Sequence, residues 1–138
     1  MVVKAYVAGP LFTPGERSYL GEVDKICKEL GIQAYLPHRD AGLLVEGATA
    51  DATAHIFEKD KEALQYADII IAVLNGVMVD DGTAWEMGYA YAQGKPIIGL
   101  IEDTRLKILT NLNAMILNSV QLTRSLEELK KALIKYTE

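Results

Sequence analysis

The sequence predicts a single α/β domain of the flavodoxin-like, Rossmann-like three-layer class, with about five parallel strands. Three observations lead to this prediction. The chain has 138 residues, enough for one domain with its own core. Short apolar runs rich in β-branched residues alternate with segments of helical pattern along its whole length. Strands separated by helices pair in parallel through right-handed crossovers, so the helices cover both faces of the sheet.

The strands are predicted from apolar runs that are too short to form helices. Such runs are found at residues 2–8, 32–36, 68–74 and 96–101, and a weaker one at 119–122. The third and fourth runs have the sequences DIIIAVL and PIIGLI. Strands that are buried on both faces of a parallel sheet show continuous apolar sequence of this kind.

Helices are predicted in the segments between these strands. They span residues 16–30, 49–66, 83–93 and 125–136, with a further helix near residues 107–118. In open sheets of this class, ligands bind beyond the carboxyl ends of the strands, where the strand order reverses. A functional site is therefore expected in the loops that follow the first four strands.

Composition and charge make several classes of partner unfavourable. The formal net charge is −5 and the Lys and Arg residues are scattered, whereas binding of polymeric nucleic acid needs a concentrated basic surface. No apolar run approaches the roughly 18 residues of a membrane span, so no membrane partner is expected. The first residues show no secretory signal, and the single Cys27 cannot form an internal disulfide. We therefore expect a cytoplasmic protein that binds a small molecule.

A carboxylate interrupts the apolar face of the predicted helix at residues 49–66. At 100° per residue, Asp60 falls in the middle of a stripe that includes Phe57 and Leu64. An unpaired charge on an inward stripe costs several kcal/mol, so Asp60 needs a partner or a chemical role. From periodicity alone, it could equally cap the backbone N–H groups of a neighbouring loop.

A second carboxylate, Glu86, is the only charged residue in the segment 82–93. Thr83 and Glu86 have the T-x-x-E spacing of a capping box, which would give Glu86 a structural role. The helix also follows the third strand, so Glu86 is expected in its first turn at the ligand-binding edge of the sheet. There the helix dipole favours the ionised carboxylate that a nucleophile requires. Gly82, which has no Cβ, would allow a ligand to approach the backbone closely.

Further acids are predicted at the same edge. Asp80 and Asp81 precede the helix, and Asp81 is a candidate for its N-cap. Carboxylates that converge in one place shift each other's protonation. In retaining glycosyl chemistry one carboxylate attacks the anomeric carbon, and a second carboxyl lies about 5 Å from it. Glu86 and Asp60 are the pair that we expect to act in this way.

The sequence resembles the nucleoside 2-deoxyribosyltransferase family, which also includes the 2′-deoxynucleoside 5′-monophosphate N-glycosidases. The resemblance rests on four blocks: KAYVAGPLF, PHRDAG, FEKDKEALQYADIIIAVL and DDGTAWEMGYAYAQGKPIIGL. The last block is the most specific, because its Asp, Gly, Glu and following Gly-Tyr-Ala have the family's spacing. Together the blocks cover most of the first hundred residues.

The resemblance implies roles for individual residues. Glu86 matches the nucleophile that forms a covalent 2-deoxyribosyl intermediate, and Tyr6 matches a tyrosine at the end of the first strand that orients it. Asp60 matches the acid that assists departure of the base, and Phe12 matches an aromatic residue of the base pocket. Asp80 matches the aspartate that holds the sugar 5′-hydroxyl.

Other positions are implied to contact the substrate. Gly9 and Gly82 lie within the matching blocks as substrate-binding candidates. The PHRDAG loop corresponds to the segment that recognises the nucleobase, which makes Arg39 and Asp40 candidates without individual roles. Asn113 in NLNAMI matches an asparagine that reaches into the site of a neighbouring subunit, so the resemblance also implies a homo-oligomer.

The residues around the sugar distinguish two activities within the family. Monophosphate hydrolases carry Ser at positions matched here by Pro10 and Asp80, and an anionic Asp80 should repel a phosphate. Arg17, in the first loop, could nevertheless serve a phosphate. We therefore expect transfer of the 2-deoxyribosyl group between nucleobases by a retaining double displacement, with a 5′-monophosphate N-hydrolase as the alternative.

A noncatalytic nucleoside- or nucleotide-binding module is a further alternative, because this fold hosts many functions. The expected partners are a deoxynucleoside and a free nucleobase. No cofactor and no metal are expected, since the sequence has no HExxH motif and no Cys cluster.

Overall fold

The computed structural model of the protein describes residues 1–103 and 112–138. The strands are β1 (Lys4–Ala8), β2 (Gln33–Tyr35), β3 (Ile69–Val73), β4 (Ile97–Leu100) and β5 (Gln121–Thr123). The helices are α1 (Pro14–Glu29), α2 (Pro37–Asp40), α3 (Ala50–Tyr66), α4 (Asp81–Ala92), α5 (Ala114–Ser119) and α6 (Leu126–Ile134). Within these ranges, no helix is both long and apolar enough to cross a membrane.

The strands form one parallel sheet in the order β2-β1-β3-β4-β5. This order confirms the predicted α/β class with five parallel strands. The chain adds β2 on one side of β1 and then returns to place β3 on the other side. The carboxyl ends of β1 and β3 therefore flank the crevice in which ligands bind in such sheets.

Two apolar cores cover the two faces of the sheet. One core packs α1 and α6 against the strands and includes Leu20, Cys27 and Leu129. The other packs α3 and α4 against the opposite face and includes Leu64 and Met87. All five residues of β3 are buried, as expected for a central parallel strand that has helices on both sides.

The main differences from the prediction concern short elements and helix ends. The four-residue helix α2 begins with Pro37 in a segment predicted as a loop. It could not be predicted from apolar periodicity, because so short an element shows none. The predicted helix near 107–118 corresponds to α5 only from Ala114, and residues 104–111 lie outside the described part of the chain. Helix α4 begins at Asp81, two residues before the predicted start.

Gly9 lies directly after β1, where the backbone approaches β3 closely. A Cβ at this position would be 2.9 Å from Cβ of Val73 and 3.0 Å from Cδ2 of Leu20. Both neighbours belong to the core beneath the sheet edge. Only glycine therefore fits there without displacement of β3 or α1.

We predict that Gly9→Ala lowers the free energy of unfolding by about 1–3 kcal/mol, because the added methyl overpacks this contact. Urea denaturation of the purified variant measures the change. The matched control is Gly21→Ala on α1, where an added Cβ meets nothing within 4 Å. Removal of a helix glycine should stabilise that control by about 0.5–1 kcal/mol. An unchanged stability of Gly9→Ala would contradict the packing argument.

Candidate active site

A cavity of about 620 Å³ opens at the carboxyl ends of β1, β2 and β3. Its walls come from the loop after β1, the segment after α2, helix α3 and the first two turns of α4. The lining residues are Gly9, Leu11, Phe12, Pro37, Gly42, Leu43, Leu44, Ile56, Phe57, Asp60, Lys61, Leu64, Asp80, Asp81, Gly82, Trp85 and Glu86. Most of this surface is apolar, and its carboxylates come from two helices and the turn between β3 and α4.

Glu86 faces this cavity from the second turn of α4 and accepts a hydrogen bond from a buried tyrosine. The Tyr6 hydroxyl, in the middle of β1, donates to Oε2 of Glu86. Tyr6 is completely buried, and its ring belongs to the core on the α3 and α4 side. The sheet therefore supplies the donor and the helix supplies the acid.

The predicted capping box of Thr83 and Glu86 is wrong. Asp80 is the N-cap, and its Oδ2 accepts hydrogen bonds from the Thr83 N–H at 2.9 Å and the Thr83 hydroxyl at 3.0 Å. Asp81, the predicted candidate for a cap, is the first residue of the helix. Both Asp and Thr are good N-cap residues, and the earlier one caps this helix. Glu86 is thus in the second turn and free of any capping role.

The environment of Glu86 favours its protonated form. Burial, and to a smaller extent the nearby carboxylates of Asp60 and Asp80, raise the pKa of Glu86 to about 8 against the lowering effect of the Tyr6 hydrogen bond. The expectation that the helix dipole keeps Glu86 ionised is therefore not met. A residue in the second turn lies beyond the strongest part of the dipole, and desolvation outweighs it.

Asp60 faces the same cavity from α3, on the inward stripe predicted from the helical wheel. The Tyr35 hydroxyl of β2 donates to its Oδ1 at 2.9 Å. Burial raises the pKa of Asp60, although the hydrogen bond from Tyr35 and the charge of Lys59 lower it. In the described part of the chain no backbone N–H donates to Asp60, so the alternative of a loop cap is not what the structure contains.

Tyr6 and Tyr35 are neighbours in the sheet. They are register partners on β1 and β2, and their rings stack with centroids 5.4 Å apart at 19°. Burial raises the pKa of both phenols above the usual range, so both remain donors at neutral pH. Sequence reasoning missed Tyr35. Tyr35 is half-buried at the end of an edge strand, and a tyrosine in such a place usually finds a partner for its hydroxyl, which was the available signal.

Aromatic side chains form the outer wall of the cavity. Phe57 of α3 contacts Trp85 of α4 edge-on, with ring centroids 5.6 Å apart. Trp85 in turn stacks on Tyr89, with ring centroids 5.5 Å apart. Phe12, predicted to line a base pocket, is at the rim with 70% of its surface exposed. The sequence analysis did not single out Trp85 or Lys61 as cavity residues, because neither interrupts a pattern.

Asp80, Gly9 and Gly82 also line the cavity, as expected from the sequence. The hydrogen bonds from Thr83 engage only Oδ2 of Asp80. Its other oxygen accepts none from the residues that the structure describes, and so it can bind a ligand. A Cβ at Gly82 would come within 3.3 Å of Oδ2 of Asp80.

Three predicted substrate-binding residues do not reach this cavity. Arg39 donates to Asp24 at 3.0 Å and to both oxygens of Asp40, and Asp40 accepts the Leu36 N–H at 2.9 Å. These contacts fold α2 back towards α1. Asn113 caps α5 by accepting the Met115 N–H at 2.8 Å. From the PHRDAG segment, it is Pro37 and Gly42 that line the cavity.

The arrangement suits chemistry that needs two carboxyl groups in different protonation states. Asp60 and Glu86 share an apolar cavity, and each accepts a hydrogen bond from its own phenol. Such pairs allow one group to act as a nucleophile and the other as an acid. Among residues 1–103 and 112–138, no group of three or more His, Cys, Asp or Glu side chains is placed to hold a metal ion.

Comparison with known proteins points to one family. Residues 5–121 match the family described as nucleoside 2-deoxyribosyltransferase. The solved structure of a 2-deoxyribosyltransferase from Bacillus psychrosaccharolyticus is similar to this chain, with a TM-score of 0.79 and 26% sequence identity. The similarity covers 93% of this chain and 90% of that one.

Two curated proteins are also similar. An uncharacterized protein of Schizosaccharomyces pombe is 35% identical over 107 residues, which are 73% of this chain and 51% of the relative. The chain thus spans about half the length of that protein. A Thermofilum pendens protein, provisionally named a 2′-deoxynucleoside 5′-phosphate N-hydrolase, is 29% identical over 107 residues, 76% of this chain and 72% of the relative.

The raised pKa of Glu86 predicts a specific dependence of stability on pH. Folding raises the pKa from 4.5 to about 8, so the folded state binds an extra proton between these values. The stabilisation from this group is complete below 4.5 and is lost as the pH rises to about 8. Glu86→Gln removes the effect, so its stability relative to the unsubstituted protein should increase across this window.

Urea denaturation at several pH values within the window measures this difference. Glu62→Gln on α3 is the control, because Glu62 is exposed to solvent and its substitution should leave the pH dependence unchanged. If the free energies of unfolding of Glu86→Gln and the unsubstituted protein differed by the same amount at every pH, the predicted rise of the Glu86 pKa on folding would be wrong.

Proposed function

The chain belongs to the nucleoside 2-deoxyribosyltransferase family, and on this premise we propose that it transfers the 2-deoxyribosyl group of 2′-deoxyribonucleosides between nucleobases. The observation that carries the proposal is the pairing of Glu86 and Asp60 in one apolar cavity. Each carboxyl accepts a hydrogen bond from a tyrosine of the sheet. A noncatalytic binding site would not need two acids held in this way.

The first half of the reaction forms a covalent intermediate. The ionised Glu86 carboxylate attacks C1′ of the sugar, and the bond between C1′ and the base nitrogen breaks. Asp60 gives its proton to the departing base, which leaves as the neutral molecule. The products are a 2-deoxyribosyl ester of Glu86 and a free nucleobase, and Asp60 is left as a carboxylate.

The second half reverses these steps with a new base. A nitrogen of the acceptor base attacks C1′ on the face that the first base left, and the ester bond to Glu86 breaks. Asp60 takes the proton that the acceptor loses, which restores both carboxyl groups. Two inversions at C1′ give net retention of configuration. With water as the acceptor, the same steps give hydrolysis.

The apolar walls determine which acceptor is favoured. The cavity surface is largely apolar and includes Phe57, Leu64 and Trp85. A nucleobase stacks on such walls, whereas water gains nothing from them. Exclusion of water protects the ester until an acceptor base arrives. These walls favour transfer over hydrolysis.

Asp80 favours a free 5′-hydroxyl on the substrate. Its oxygen that is not used for the helix cap can accept a hydroxyl proton, and its negative charge repels a phosphate. The second candidate activity is 5′-monophosphate N-hydrolysis. The Thermofilum pendens relative bears that name. Lys61, whose ammonium forms an ion pair with Glu58 at 3.1 Å, also places a cation at the cavity wall.

We also propose a cytoplasmic homo-oligomer in which a neighbouring subunit completes the site. Support comes from exposed apolar side chains: Phe12 at the cavity rim is 70% exposed, and Met115 of α5 is 78% exposed. Asn113, the N-cap of α5, is the residue whose family counterpart reaches the site of a neighbouring subunit. The proposed reaction requires no cofactor and no metal.

Incubation of the protein with deoxyinosine and free adenine should produce deoxyadenosine and hypoxanthine. Chromatography of the reaction mixture identifies these products. Glu86→Gln should abolish this turnover, because the amide cannot attack C1′, while Glu62→Gln on the exposed face of α3 should retain it. Free base and deoxyribose alone would indicate a hydrolase. A comparison of deoxyinosine with its 5′-monophosphate decides between the two candidate substrates. Ligand binding without turnover by the unsubstituted protein would instead support the noncatalytic binding module.

The activity should also depend on pH through Glu86. Since Glu86 must be ionised and Asp60 must hold the proton that it donates, kcat/KM should rise with pH around the Glu86 pKa of about 8 and fall at higher pH as Asp60 is deprotonated. Tyr6→Phe removes a hydrogen bond that lowers this pKa, so the rise should move to higher pH. Initial rates across the pH range measure the shift. Tyr91→Phe, on the exposed side of α4, is the control and should not move the profile.

A further inference from the structure

We propose that Tyr35 is a positioning residue that orients the Asp60 carboxyl towards the departing base, as the counterpart of Tyr6 at Glu86. This inference rests on the proposed function, in which Asp60 donates the proton. Tyr35 is absent from the cavity wall, so it cannot act on the substrate directly. Its effect must pass through Asp60.

The geometry of the sheet carries the inference. Tyr6 and Tyr35 are register partners on adjacent parallel strands, and their stacked rings are 5.4 Å apart. Each phenol donates to a carboxyl on a different helix, Tyr6 to Glu86 on α4 and Tyr35 to Asp60 on α3. Neighbouring strands lie about 4.8 Å apart, close to the carboxyl separation of about 5 Å that retaining chemistry requires. The two donor hydroxyls therefore come from adjacent strands of one sheet, and each is bonded to a different acid.

Tyr35 is the only hydrogen-bond donor to Asp60 among the residues that the structure describes. Without that donor, the Asp60 side chain can rotate in a wide, mostly apolar cavity. Asp60 is in the middle of α3, so the backbone N–H groups of its own helix are already bonded and cannot replace the phenol. The orientation of the carboxyl therefore depends on one hydroxyl group.

Tyr35 also affects the protonation of Asp60. Its hydrogen bond lowers the pKa of Asp60 against the effect of burial. The other charged or titratable groups near Asp60 are Tyr6 of β1, Glu86 of α4 and Lys59 of α3. When Asp60 gives up its proton, the phenol stabilises the carboxylate that forms. Tyr35 thus promotes proton donation as well as orientation.

Tyr35→Phe tests the proposal, since it keeps the stacked ring and removes only the hydroxyl. With deoxyinosine and adenine, kcat should fall by about tenfold, a part of what a general acid contributes, and KM should change by less than about twofold. Tyr66→Phe is the matched control, because Tyr66 is an exposed tyrosine on the helix that carries Asp60. It should leave both constants unchanged.

A double-mutant cycle separates positioning from a general loss of structure. In an Asp60→Ala background, addition of Tyr35→Phe should change kcat by less than about twofold, because the group through which Tyr35 acts is absent. An equal fold-loss in both backgrounds would overturn the proposal. Thermal unfolding of each variant verifies that the comparison is between folded proteins.

A titration that requires no turnover distinguishes this proposal from the proposed function. The carboxyl carbon of Asp60 is followed by NMR in ¹³C-aspartate protein and assigned by its loss in Asp60→Asn. Its midpoint should move to higher pH in Tyr35→Phe and remain unchanged in Tyr66→Phe. An unmoved midpoint in Tyr35→Phe would overturn the role of Tyr35. A moved midpoint in a protein that does not turn over deoxynucleosides would overturn the proposed function and leave the Tyr35–Asp60 coupling intact.

Discussion

The hydrogen bonds between buried phenols and carboxyls are the constraint on which the rest of the site depends. A carboxyl group within an apolar cavity needs a donor, and here the donors come from the sheet instead of from other helices. The sheet is the centre of the fold, with β3 buried along its whole length. Two acids on separate helices are in this way bonded to side chains of one sheet.

The topology explains why these elements meet. Reversal of the chain between β2 and β3 leaves a crevice at the carboxyl ends of the central strands. Helix α4 follows β3 at this crevice, and α3, which packs on the same face of the sheet, also borders it. The loop after β1 passes close to β3 because Gly9 has no side chain to hold them apart. The strand order thus opens the cavity, and Gly9 allows the chain to pack closely at its base.

Most of the fold could be predicted from the sequence, because the strands are continuous apolar runs and the helices between them are long. The inward position of Asp60 could also be predicted, since it interrupts an apolar stripe. The start of α4 could not, because Asp80 and Thr83 are equally good N-cap residues in sequence terms. Sequence also gave no means to find α2, whose ion pairs hold Arg39 and Asp40 away from the cavity. Tyr35 was missed because its role depends on register with Tyr6, a property of the folded sheet.

The N-cap of α4 limits how this site can diversify. Asp80 both starts the helix that carries Glu86 and presents an oxygen to the cavity. Any replacement must therefore retain a short side chain with an acceptor oxygen, which restricts the choice to Asp, Asn, Ser and Thr. Within this small set, a change from Asp to Ser removes a negative charge and leaves the helix start intact. The charge at the cavity can thus change at one position without rebuilding the helix that carries Glu86.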